Sequence, residues 1–262
     1  TLGDTAADQD NHCIEPQNLF SGIKAILQAN KTASPPASPG ITSKEDMMIL
    51  EKSPEKAAIL SQKDIGTVYG SPEGCFTIAD LIIFAVKPQD ANVLFETLKP
   101  LADNQQVFMS IMAGVKIETI CEALGVKKVI RAMPNLPAQI GMGMTAFTSS
   151  NEVTRIELVM VQNLLNTTGK TIYVENEKAI DASTAISGSG PAYVFYFMDA
   201  MMKAAKEMGF NESEAELLVS QTFKGAVDLY NKNNFSCKEW IAKVSSKGGT
   251  TEAAMAFYQN ES

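Results

Sequence analysis

Two glycine-rich stretches hold the residues of this chain that are best placed to do chemistry, Ser187-Gly-Ser-Gly-Pro-Ala-Tyr193 and Gly248-Gly-Thr-Thr251. In the first, Pro191 stands where a helix takes its first residue, with Ser189 or Gly190 as the cap ahead of it. Two glycines and the hydroxyls of Ser187 and Ser189 would then precede unpaired amide N–H groups that can accept an anion such as a carboxylate. A glycine-rich corner before a core helix reads the same way. Gly248-Gly-Thr-Thr251 opens the last helical segment and offers backbone N–H groups of its own, and an ordinary helix entry has the same sequence. Metal chemistry is not expected. Cys13, Cys75, Cys121 and Cys237 lie far apart without ligand spacing, and the single histidine, His12, sits in a polar N-terminal tail. The cysteines read as reduced and incidental, in a cytoplasmic protein.

These stretches must be held by larger elements. After Pro191, Val194, Met198, Met201, Ala205 and Met208 recur at helical spacing, and Phe195 with Met202 widens the stripe up to a stop at Gly209. A helix this apolar is expected to be buried on more than one side, in a core or against a second subunit. Upstream the pattern differs. Leu81-Ile-Ile-Phe-Ala-Val86 is a continuous apolar run of the kind found inside a parallel sheet, ended by Pro88. Further strands are expected at 47–50, 107–111, 128–131, 144–147 and 170–174, with helices at 91–98, 117–124 and 152–165. A helix after Ser53 is capped by that serine and has Pro54 at its first position. This alternation predicts a doubly wound α/β domain whose ligands lie at the carboxyl ends of the strands.

From Lys178 onward the pattern is helical throughout, at about 178–185, 191–208, 212–231, 236–244 and 250–258. The expected domains are therefore 1–175 and 176–262, with 1–42 atypical. Leu19 to Gln28 reads as a short amphipathic helix. Thr32-Ala-Ser-Pro-Pro-Ala-Ser-Pro-Gly40 is a loop, because three prolines and a glycine leave no room for regular structure.

Composition narrows the partners. The 262 residues are 45% hydrophobic and 20% charged, enough for a real core in one large or two smaller domains. No apolar run reaches membrane-spanning length, and the polar, acidic opening lacks a signal-peptide pattern. A net charge of −8 argues against nucleic acid or an anionic membrane as partner. A small anionic ligand would need a local positive site.

Ser187-Gly-Ser-Gly-Pro-Ala-Tyr193 resembles the signature of the pyrroline-5-carboxylate reductases. Ala85-Val-Lys-Pro-Gln89, Ala113-Gly-Val115, Arg131-Ala-Met-Pro-Asn135 and Ser245-Ser-Lys-Gly-Gly-Thr-Thr251 follow in that family's order, from about Ser43 to Ala256. The resemblance implies a Rossmann-like domain followed by an all-α domain for dimerisation and substrate binding, in a homodimer or larger oligomer. It implies hydride transfer from NADP or NAD, NADPH favoured, to the C=N carbon of 1-pyrroline-5-carboxylate, giving L-proline. Such a reaction asks side chains mainly to hold and orient a small substrate, since the cofactor makes the bond. On this reading Gly248, Gly249, Thr250 and Thr251 hold the substrate carboxylate, with the Thr251 hydroxyl also serving the ring nitrogen. Ser189 belongs to the same site, and Glu177 matches a carboxylate that the family places near bound product. Ser53, Ala85, Val86, Lys87, Pro88, Ile111, Met112 and Ala113 map onto cofactor positions. At the end of the second family strand Glu51 would favour a free ribose 2′-hydroxyl, whereas Lys52 and Ser53 suit a 2′-phosphate.

The chain departs from the family at its start. The family opens with a strand and a glycine-rich pyrophosphate-binding turn, Gly-x-Gly-x-x-Gly/Ala, whereas Gly22 is the only glycine here between Gly3 and Gly40. That strand is central in the 3-2-1-4 order, so either the N-terminal segment refills its slot or cofactor binding is weakened. Lys247 stands where the family usually has proline, and Ser71-Pro-Glu-Gly74 is atypical near the adenine. The alternative is a catalytically weak homologue acting as an oligomerising, interaction protein. A β-hydroxyacid-type dehydrogenase is disfavoured, because Ser-Gly-Ser-Gly-Pro-Ala-Tyr is not its signature.

Overall fold

The computed structural model describes residues 25–28 and 44–260. His12, Cys13 and the loop at 32–40 lie outside the described residues. Two compact units are present, Thr1–Pro191 and Ala192–Ser262. The helical run begins at α5 (Glu177–Ser183), but the first unit extends to Pro191. Ile180 of α5 is fully buried beside Met133 and Ala146 of the sheet, and that packing carries α5 with the first unit.

The first unit is built on eight strands: β1 (Ala25–Gln28), β2 (Met47–Leu50), β3 (Thr67–Tyr69), β4 (Leu81–Phe84), β5 (Val107–Ser110), β6 (Val129–Met133), β7 (Gly143–Ser149) and β8 (Gly169–Tyr173). Their order is β3-β2-β1-β4-β5-β6-β7-β8. β2 pairs parallel with β3, and β4, β5 and β6 pair parallel in series. β1 is antiparallel to both of its neighbours, and the parallel pair β7 and β8 joins antiparallel to β6.

Why the central strands read as unbroken apolar runs is visible in their two faces. Met48, Leu50, Ile82, Phe84 and Phe108 enter one core, with Phe95 of α2 (Ala91–Leu98) and Ile120 of α3 (Ile117–Leu124). Met47, Ile49, Leu81, Ile83, Val107 and Met109 enter the other, with Leu60 of α1 (Pro54–Gln62) and Val161 and Leu165 of α4 (Arg155–Asn166). Alternate residues face opposite layers, so a strand buried on both faces needs an apolar residue at every position. α1 has the expected Ser53 cap and Pro54 entry.

Leu19 to Gln28 is corrected in part. Residues 25–28 form a strand, and the rest lies outside the described residues. A short isolated helix gains little in water, whereas the slot between β2 and β4 offers backbone partners on both sides. Ile26 pairs with Ile49 on one side and Ile83 on the other. The first family strand is thus present in altered form, reversed in direction. β3 was not anticipated; three residues are too few to show a period.

Gly169, at φ +147°, admits no side chain, because a Cβ there would lie 2.0 Å from the carbonyl oxygen of Gly143. That close approach lets β8 start directly against β7.

The second unit holds the body of α6 (Gly190–Glu207) and all of α7 (Glu212–Asn231), α8 (Cys237–Val244) and α9 (Thr250–Asn260). Gly209, at φ +101°, follows the end of α6. No helix among the described residues is long and apolar enough to cross a membrane.

Candidate active site

The β6 motif Arg131-Ala-Met-Pro-Asn135 ties the sheet to the glycine-rich signature. Arg131 is fully buried within an otherwise apolar strand, and such a charge demands partners. Its Nη1 donates to Glu177 Oε1 at 3.1 Å and its Nη2 to Asp181 Oδ1 at 2.6 Å. The amide of Ile117, at the start of α3, donates to the same Glu177 oxygen at 3.0 Å. Asn135 Nδ2 donates to the Ser187 carbonyl at 3.0 Å, and Asn135 Oδ1 accepts from the Met144 amide at 2.8 Å. The motif is plain in the sequence, but its spacing alone assigns no role to Arg131, Asn135 or Asp181. An arginine inside Val129-Ile-Arg-Ala-Met133 and two carboxylates four residues apart on α5 were the available signal.

The signature itself is not the capped corner that its glycines imply. Thr184–Gly188 forms a π-helical turn between α5 and α6. Ser189 has helical backbone angles, φ −84° and ψ −20°, and its amide donates to the Thr184 carbonyl at 2.8 Å. The Ser187 hydroxyl donates to the Ser183 carbonyl at 3.0 Å. The expected cap at Ser189 or Gly190 is therefore corrected: a nearly continuous helical path runs through both residues and satisfies the Ser189 amide internally. Single π turns inside helices recur at functional sites, where they re-aim side chains.

In the second unit Gly248 has φ +72°, and its amide donates to Glu252 Oε2 at 2.6 Å. The Gly249 amide donates to the Ser246 carbonyl at 3.0 Å. Both glycines thus shape the entry of α9, and the first-turn amides that precede its first helical bond, Ala253 to Gly249, are those of Thr250, Thr251 and Glu252. Thr251 is half-buried.

The expected cofactor positions gather at the carboxyl ends of β2, β4 and β5. Ser53 caps α1, accepting from the Lys56 amide at 3.5 Å. Ala85, Val86, Lys87 and Pro88 follow β4 directly, with Lys87 exposed. Ile111, Met112 and Ala113 follow β5, and the Met112 amide is held by the Ser110 hydroxyl at 3.2 Å. Beside these ends lies a cavity of about 470 Å³ lined by Leu50, Lys52, Ser71, Val86, Asp90 and Leu94 among others. Its apolar walls and rim lysine suit an adenosine and a phosphate. Glu51 is buried and is not among the residues lining the cavity, and its Oε1 accepts from the Ser53 amide at 2.8 Å.

The pyrophosphate is the part of a dinucleotide that these residues do not fit. Ala25 pairs with Phe84 and Gln28 with Leu81, so β1 ends at the edge where β4 begins. The carboxyl end of β1 therefore lies at the opposite end of the sheet from the cofactor positions, whereas the family's first strand would lead from that side into its pyrophosphate turn.

Cys75 is buried, and burial, with the Glu73 charge adding to it, pushes its thiol up to about 11. Burial likewise raises Cys121, with the charges of Glu152 and Glu177 adding to it. Neither is an activated nucleophile. No cluster of metal-ligating side chains is found among the described residues.

Comparison with known proteins places this geometry in a family. The family model for pyrroline-5-carboxylate reductase dimerisation matches residues 177–262, and that for NADP oxidoreductase, coenzyme F420-dependent, matches residues 24–114. Pyrroline-5-carboxylate reductase of Aquifex aeolicus is 34% identical over 220 residues, covering 83% of this chain and 81% of that protein. Pyrroline-5-carboxylate reductase 2 of Bacillus subtilis is 40% identical over 186 residues, 71% of this chain and 66% of the relative's length. The structure of the Plasmodium falciparum pyrroline carboxylate reductase with NADP bound superposes with a TM-score of 0.76 at 27% identity, covering 85% and 82% of the two chains. That of the Coxiella burnetii pyrroline-5-carboxylate reductase gives 0.75 at 29%, covering 84% and 82%. With its ordered motifs, its Rossmann-like sheet and its helical second part, the chain belongs to the pyrroline-5-carboxylate reductase family.

Proposed function

We propose that the chain reduces 1-pyrroline-5-carboxylate to L-proline with a nicotinamide cofactor, NADPH in preference to NADH, and that two or more copies associate through residues 176–262. The observation that carries this reading is the clamp between the carboxyl end of β6 and the signature segment. Arg131 and Asn135 fasten the stretch that the family uses for substrate to the sheet that it uses for cofactor. A bound reduced nicotinamide supplies the hydride. The chain's own residues hold and orient the imine acid. In the second unit the amides of Thr250 and Thr251 take the carboxylate and the Thr251 hydroxyl donates to the ring nitrogen; Ser189 and Glu177 are the substrate positions of the first unit.

The coenzyme preference rests on the adenosine end. Glu51 is occupied in bracing Ser53, while exposed Lys52 lines the cavity and offers a 2′-phosphate a cation. The reversed β1 weakens the centre of the cofactor site. Losing two charge-assisted hydrogen bonds to the pyrophosphate costs about 3–6 kcal/mol, at least a hundredfold in affinity.

Two measurements test these statements. NADPH oxidation should depend on added pyrroline-5-carboxylate, and its absence at saturating cofactor would overturn the activity. Calorimetric titration should show NADPH binding more tightly than NADH, and at least a hundredfold more weakly than to the Bacillus subtilis relative. Micromolar binding would show that residues 1–43 rebuild the pyrophosphate site.

A further inference from the structure

Glu177 is held by an arrangement with more parts than a buried arginine needs. Arg131 carries one positive charge, whereas Glu177 and Asp181 bring two negative ones. The two carboxylates sit four residues apart on α5, hence on one face, and each takes a different nitrogen of the guanidinium fork. Glu177 Oε1 accepts twice, from Arg131 Nη1 and from the Ile117 amide. Its Oε2 accepts from neither, and the side chain is 27% exposed.

What keeps Oε2 from the arginine is Asp181. A guanidinium facing a lone carboxylate prefers two parallel hydrogen bonds, one to each oxygen. With Nη2 engaged by Asp181 at 2.6 Å, Arg131 reaches Glu177 through Nη1 alone, at 3.1 Å, while its buried Nε makes no hydrogen bond. The Ile117 amide then fixes the carboxylate's rotation about that contact.

We infer that Arg131 and Asp181 are positioning residues. Together they present Glu177 Oε2, with the cluster's surplus negative charge, to the nitrogen end of the bound imine or amine acid. The inference rests on the placement of Glu177 in the substrate site. It adds that Asp181, which need not touch the ligand, keeps that oxygen available.

The test uses the full chain in three variants, with L-proline affinity read by calorimetry and kcat and KM read for pyrroline-5-carboxylate and NADPH. Asp181→Ala frees Nη2 to close on Oε2, so proline affinity should fall and KM for pyrroline-5-carboxylate should rise, each about tenfold. The KM for NADPH should stay within twofold. Asp181→Asn keeps an acceptor for Nη2 and should recover to within about threefold of the unmodified chain. A merely structural role would lower the melting temperature without this split. Unchanged proline affinity in Asp181→Ala, or Asp181→Asn behaving like Asp181→Ala, would overturn the inference while leaving Glu177 in the site. Glu177→Gln without effect on proline or pyrroline-5-carboxylate would remove Glu177 itself, and the inference with it.

Discussion

Thr251 combines the two things a small imine acid needs, an amide at the start of a helix and a hydroxyl beside it. With Gly248 and Gly249 engaged locally, the amides without a helical partner begin at Thr250. Replacing Thr251 with alanine keeps the amide and removes only the hydroxyl. The expected loss is one hydrogen bond to a charged group, about 1.5–3 kcal/mol, or roughly 10- to 150-fold in kcat/KM for pyrroline-5-carboxylate. NADPH affinity should be unaffected, because the cofactor positions belong to the first unit. Steady-state kinetics of Thr251→Ala with unchanged kcat and KM would take this residue out of the site.

Among the elements, α4 shows how one side chain can join a helix start to the sheet. Thr154 and Glu157 form a reciprocal capping box, and Glu157 Oε1 also accepts from Lys128 Nζ at 2.8 Å, just ahead of β6. Burial by itself would raise the Glu157 carboxyl. Hydrogen bonds from Lys128 and from the Thr154 amide and hydroxyl, with the Lys128 charge, outweigh it and hold the group below the usual glutamate range. A carboxyl depressed in the folded state stabilises at pH values above its unfolded pKa, about 4.3, and that stabilisation is lost as pH falls through the folded value. Glu157→Gln should therefore cost about 1 kcal/mol at pH 7, and the cost should shrink below pH 4. Urea denaturation at pH 7 and pH 3.5 measures both, and an equal difference at the two pH values would contradict the assignment.

At the scale of the molecule, the helical unit is short of a core of its own. Of α6 and α7 only Ala215 and Val219 are buried, while Tyr196 is 71% and Phe195 and Phe197 each 56% exposed. Exposed aromatic surface on this scale marks an association site, and residues 177–262 match a dimerisation family. We propose that a second copy supplies the missing cover. Analytical ultracentrifugation should find a dimer or larger assembly at micromolar concentration, and a stable monomer would contradict this. Met201→Asp places a charge in that interface and should dissociate or unfold the protein.

The helices were the part most legible in the chain itself. The periods at 91–98, 117–124 and 212–231 coincide with α2, α3 and α7 to the residue, because spacing, caps and stops act within a turn or two. The runs at β2, β4 and β5 were equally plain, since burial on both faces writes itself as unbroken apolar sequence. Strand direction is different. Nothing in Ala25-Ile-Leu-Gln28 states that it pairs between Met47–Leu50 and Leu81–Phe84, or that it runs against both. The signature's composition was visible, but not that Asn135, 52 residues away, fastens Ser187 to the end of β6. Arg131 likewise meets Glu177 and Asp181 across 46 and 50 residues. Local geometry is encoded within a few residues, whereas pairing partners, strand sense and the neutralisation of a buried charge are chosen only when distant segments compete for the same space.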